Sequence, residues 1–235
     1  MFRALNLSLL VVSVFLVVAC DDNVETKGLP AGAPPEPVAQ SPAPAHNNQS
    51  ILFYENRIKN DPDDYIAHNR LASEYLGQMR LTGDTAYLEL ALKTAQASLA
   101  ILPAEQNVGG LAALAAAEFS LHQFVAARDH ARRLTELEPN RGYAYQVLAD
   151  ALLELGEYDE ARTVLAKMED LGGFQLMAEV AIEARLSHHA ELYGNTDKAT
   201  RHMKKALDLL KESPGPGSET KAWVEWQLGR ISLGK

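Results

Sequence analysis

Cysteine occurs once in the 235 residues, at Cys20, so the chain contains no pair to close a disulfide and no thiolate cluster to hold a metal. Basic clusters are also missing. The formal net charge is -9, and an acidic chain without a Lys/Arg patch has no electrostatic footprint for nucleic acid. Nor is such a body drawn to anionic lipid. There is no phosphate loop, nucleophile elbow or dinucleotide fingerprint. With no catalytic constellation to argue from, an enzyme is not expected. The longest apolar run, Ala4 to Ala19, is interrupted by Asn6, Ser8 and Ser13 and is short for a bilayer span.

What that run contains is informative. Arg3 stands near its start, and it ends Val17-Val18-Ala19-Cys20-Asp21-Asp22. A short apolar segment with a small residue just before cysteine resembles a bacterial lipoprotein signal peptide. The resemblance implies cleavage before Cys20 and a diacylglycerol thioether on its sulfur. That covalent lipid is the only prosthetic group expected, and it leaves no free thiol. Two or three acyl chains suffice for stable anchoring, where one gives only marginal binding. Asp21 and Asp22 resemble the inner-membrane retention signal of enterobacterial lipoproteins. The expected location is therefore the cell membrane, lipid-anchored and facing the periplasm, with the outer membrane as the alternative.

Residues 20–50 read as a tether. Pro30, Pro34, Pro35, Pro37, Pro42 and Pro44 make six of the 11 prolines, separated by Ala, Gly and Ser. Proline removes donors and fixes φ, and nothing here builds a core. About 27 such residues reach roughly 30 Å as a coil and roughly 80 Å as polyproline II. The organisation is thus a leader at 1–19, a lipidated tether at 20–50 and a folded domain at 51–235.

From Ile51 the chain is rich in Ala, Leu and Glu, and it repeats. The clearest unit is Tyr145, Leu148-Ala149, Leu152, Gly156, Tyr158, Ala161, Leu165, Met168. It resembles the tetratricopeptide pattern, a helix–turn–helix of 34 residues. Small residues at Ala149 and Ala161 let the two helices cross closely, and Gly156 permits the turn between them. Ala127, Ala131, Leu134 and Pro139, with Phe124, form another copy, and Ala127 lies 34 residues before Ala161. Leu71-Ala72, Tyr75, Ala91, Ala95 and Pro103 form a longer one, with an insert between Gln78 and Tyr87. Leu186-Ser187, Gly194, Ala199, Met203 and Ala206 form a fourth. The fold class implied is all-α: a tetratricopeptide-repeat superhelix of about four helix pairs plus a C-terminal helix. One extra turn per helix would absorb the insert.

The resemblance implies a concave face lined by the first (A) helix of each pair, which usually binds a peptide or a partner helix. By repeat position its lining includes Asn69, Ser73, Tyr143, Gln146, Asp150, His188 and Glu191. The basic clamp by which the best-known groove of this family grips a C-terminal carboxylate is missing. His188 and His189 point about 100° apart on a helix, so no metal site is expected. Asp61-Pro62-Asp63-Asp64 has Ile66 where a calcium loop needs glycine, and reads instead as a helix start. In the C-terminal helix, Val224, Leu228 and Ile231 share one face, while Ala222, Trp226, Gly229 and Leu233 share the opposite one. Trp223 and Trp226 are therefore candidate interface residues, with a second copy or a partner as the occupant. The functional expectation is a scaffold or assembly factor holding a polypeptide of an envelope complex. The alternative is a permanent accessory subunit of a membrane complex.

Overall fold

Ten α-helices and no strand make up the described residues of the computed structural model, which are 48–171, 176–211 and 218–233. The leader, Cys20, Asp21, Asp22 and nearly all of the tether lie outside them. After α1 (Asn48–Asn60) come four helix pairs: α2 (Tyr65–Thr82) with α3 (Ala86–Ile101), α4 (Val108–Ser120) with α5 (Phe124–Leu137), α6 (Gly142–Leu155) with α7 (Tyr158–Asp170), and α8 (Leu176–Leu192) with α9 (Thr196–Lys211). α10 (Ser218–Leu233) closes the series. No helix among the described residues is long and apolar enough to cross a membrane.

Local chemistry sets the helix ends. Asp64 caps α2, its carboxylate accepting from the Ala67 amide at 2.9 Å, so the Asp61–Asp64 run is a helix start. Burial alone would raise the Asp64 carboxyl, but the Ala67 amide and the Arg57 guanidinium outweigh it and hold the group below its ordinary value. Gly83, Gly156 and Gly194 end three of the A helices with φ between 72° and 77°, the left-handed conformation that costs a side chain strain. His122 takes the same region after α4, with φ 60°.

The pairs close on small residues. Ala149 in α6 and Ala161 in α7 are both fully buried, flanked by Leu148, Leu152, Leu165 and Met168 in one continuous core. Burying each leucine contributes roughly 2 kcal/mol, and a methyl in place of a larger group lets the helix backbones approach. The insert of the first pair is not shared equally between its helices. α2 runs on from Ala72 to Thr82 where α6 stops at Leu155 soon after Ala149, a full turn more. α3 gains only two residues ahead of Ala91, compared with α7 ahead of Ala161, and the rest lies in the turn.

Successive A helices, α2, α4, α6 and α8, pack against one another. The second (B) helices are bridged by long charged side chains instead, as where Arg132 reaches Glu160 at 2.8 Å. The A helices therefore form the inner layer of the curve. A second core, Val180, Ala199, Met203, Ala206, Val224 and Ile231, joins α10 to the last pair.

Candidate functional site

The inner layer is tied together by polar contacts one repeat apart. Asn69 on α2 donates through Nδ2 to Asn107 Oδ1 at 2.7 Å, and Ser98 Oγ donates to Asn69 Oδ1 at 2.6 Å. Asn107 Nδ2 closes the triangle on Ser98 Oγ at 2.8 Å, while its Oδ1 caps α4 at the Gly110 amide. A side chain at residue 110 would meet Asn107 Nδ2 at 2.7 Å, so only glycine fits under this network. Asp150 on α6 receives both Nε and Nη2 of Arg185 on α8, at 2.9 and 2.7 Å. Glu191 on α8 accepts from Arg230 Nη2 on α10 at 2.6 Å.

Three of the seven groove positions are thus engaged with the next repeat rather than open. Of the others, Ser73 donates to the Asn69 carbonyl within its own helix at 3.2 Å. Tyr143 packs half-buried against Leu111, Leu134 and Ala144, and Gln146 is buried beside it on the same helix. His188 is half-buried on α8. Tyr143, Gln146 and Asp150 come from one helix, and Asp150 is joined to His188's helix through Arg185. The sequence reading missed Ser98, Asn107, Arg185 and Arg230. A signal for the last two exists: each lies 35 or 39 residues after an acidic A-helix residue.

The histidines serve the helix pairs. His130 Nδ1 lies 2.7 Å from the buried Glu118, and His202 Nδ1 lies 2.8 Å from the buried Glu183, which also accepts from Lys205. The bond to Glu118 raises the His130 imidazole above its ordinary value, against the opposing effect of burial. The His189 ring lies tilted against Tyr193 with centroids 4.9 Å apart, and burial pushes its imidazole below the ordinary value. Among the described residues no group of three potential ligands could hold a metal. Trp223 lies half-buried on the α8–α9 core, while Trp226 is 57 % exposed.

Helix pairs crossing on small residues, with A helices inside and B helices outside, define a tetratricopeptide-repeat solenoid, a fold that serves as a protein–protein interaction scaffold. Residues 118–172 match the tetratricopeptide repeat family. The fold is similar to that of TTC0263, a thermophilic tetratricopeptide protein of Thermus thermophilus, at 18 % identity over 78 % of this chain and 89 % of that one, with a TM-score of 0.61. It is also similar to MamA, at 22 % identity over 69 % and 87 % with a TM-score of 0.51. A third likeness is YrrB, described as having an unusual peptide-binding site, at 18 % identity over 77 % and 84 % with a TM-score of 0.50. No curated protein is a significant sequence match.

Proposed function

We propose that this chain is a lipid-anchored, periplasm-facing scaffold that holds a polypeptide of an envelope complex along its A-helix layer. The observation that carries the reading is the set of inter-repeat ties, Asn69–Asn107, Asp150–Arg185 and Glu191–Arg230. They fix the curvature of the inner layer before any partner arrives, so less ordering has to accompany binding. Between the ties stand the half-buried Ser73, Tyr143 and His188, a mixed polar and aromatic lining without a strong charge requirement, with Gln146 buried on the same helix as Tyr143. Such a lining suits a polypeptide segment, and the peptide-binding site ascribed to YrrB supports that class of ligand. The Cys20 context and the proline-rich tether support the anchor and its reach.

Two measurements test this. Cys20→Ser should leave the chain unprocessed and absent from membranes; maturation at the same site with membrane fractionation would refute the anchor. A photo-crosslinking residue at Tyr143 or His188 should capture one partner in cells, and the same residue at Val125, exposed on the outer helix α5, should not. Equal capture of that partner from Val125 would refute the groove.

A further inference from the structure

Each complete pair places a leucine and a small residue where its A helix is crossed by its own B helix: Leu71-Ala72, Leu114-Ala115, Leu148-Ala149 and Leu186-Ser187. The small residue is 0 % exposed in all four. At the last of them the Ser187 hydroxyl donates to the Ala199 carbonyl of α9 at 2.9 Å. Leu228-Gly229 in α10 is a fifth instance, and there the crossing is open. A Cβ on Gly229 would meet nothing within 4 Å. Four residues further on, Leu76, Phe119 and Leu153 are buried in the first three pairs, whereas Leu233 is 90 % exposed. α10 is an A helix, packed on α9 through Val224 and Ile231, whose B-helix seat stands empty among the described residues.

α1 is the converse. Ala91 precedes Pro103, and Ala127 precedes Pro139, by the same interval that separates Ser50 from Pro62. α1 packs on the main core through Ile51, Tyr54 and Ile58, as a B helix packs on the A helix that follows it. No A helix of its own precedes it among the described residues. Phe53 holds the place on α1 that His130 and His202 hold on α5 and α9, where they reach Glu118 and Glu183 of their own A helices. Phe53 has no such helix among the described residues and is 55 % exposed, with the Arg57 guanidinium 5.9 Å above its ring.

We propose that α1 of one copy seats on α10 of the next, completing a fifth helix pair across the interface. The contact between Ser187 and Ala199 gives the register: Gly229 against Ser50, and hence Trp226 opposite Phe53. Two exposed aromatics then cover each other. Glu225 has the place in α10 that Glu183 has in α8, where Glu183 is paired with Lys205 at 2.6 Å. In the proposed register the place of Lys205 falls on Asn56 of the neighbouring copy, an exposed amide that faces the Glu225 carboxylate. The A layer also continues, bringing α10 against the neighbour's α2 as α2 lies against α4. A face-to-face pair of α10 helices would cover Trp226 but leave Phe53 in water. Because the two surfaces differ, the joint does not close on itself at two copies and propagates into a ring or an open row.

The test uses the full chain. Two versions, Asn56→Cys and Ala222→Cys, are co-expressed and treated with a short bismaleimide; both positions are exposed, and both substitutions leave Phe53 and Trp226 in place. A dimer whose linked peptides join residue 56 to residue 222 is expected from the mixture. Both substitutions on one chain should give a ladder of dimers, trimers and higher species. Adding Gly229→Arg should cut the cross-linked fraction by about tenfold without lowering the melting temperature, since the site is open within one copy. A link from 222 to 222, a link from 222 to another protein or to the chain's own N-terminal segment, or no link between versions that fold normally would each overturn the proposal. So would a ladder unchanged by Gly229→Arg.

Discussion

Asp150 and Arg185 face each other across the inner layer, the guanidinium giving the carboxylate two parallel bonds of 2.9 and 2.7 Å. Arg185 is only 5 % exposed and its Nη1 also donates to the Ala181 carbonyl. Asp150→Ala would strand that charge and should cost about 3–5 kcal/mol in urea denaturation. Replacing both partners, Asp150→Leu with Arg185→Met, removes the desolvated charge as well as the bond and should cost much less. Equal losses in the single and double variants would contradict the pairing.

His130 gives a pH-dependent contribution of definite sign. Its folded-state pKa lies above the ordinary 6.5 because of the Glu118 hydrogen bond. A raised pKa means that the stabilisation is fully present below the unfolded value and fades as pH rises through the folded one. His130→Gln should therefore lower the melting temperature more at about pH 5.5 than at about pH 9. A gap that is the same at both values, or wider in alkali, would count against the ion pair.

Ala161→Arg tests the crossing of α6 and α7. The site is fully buried with Leu148, Leu152 and Leu165 in the same core, so a long charged side chain has neither room nor partner. A loss of several kcal/mol is expected. An unchanged melting temperature would mean that the two helices do not meet there.

That crossing was legible from sequence because sterics leave no choice: helices that touch at the backbone need small residues, and these recur at Ala115, Ala149 and Ser187. The ties of the inner layer were not. A polar residue at a groove position looks the same whether it awaits a ligand or binds the next helix, and Asn69 finds Asn107 across 38 residues through a lengthened first pair. α1 was legible as helix but not as half a repeat. Where α5 has Ala127 and Ala131, α1 has Ser50 and Tyr54, and with no A helix of its own among the described residues it has no close crossing there to enforce alanine. The C-terminal helix was readable for the opposite reason. Its two apolar stripes are both intact, and Val224 is buried on one while Trp226 is open on the other.

Two glycines should respond to alanine with opposite signs, although a Cβ would meet nothing within 4 Å at either. Gly156 ends α6 with φ 77°, its amide donating back to Leu153 at 3.2 Å. Alanine there is strained whatever the space around it, and the expected loss is about 1 kcal/mol. Gly229 lies inside α10 with an ordinary helical φ. A mid-helix glycine gives up more backbone entropy on folding than alanine does, so Gly229→Ala should raise the stability of a single copy by about 0.5–1 kcal/mol. Thermal melts at low protein concentration keep association out of the comparison. Alanine also occupies the matching place in the first three pairs, at Ala72, Ala115 and Ala149, so this variant should still accept a B helix. Destabilisation by both variants would show that Gly229 is needed within one copy, and that the open seat on α10 is not free.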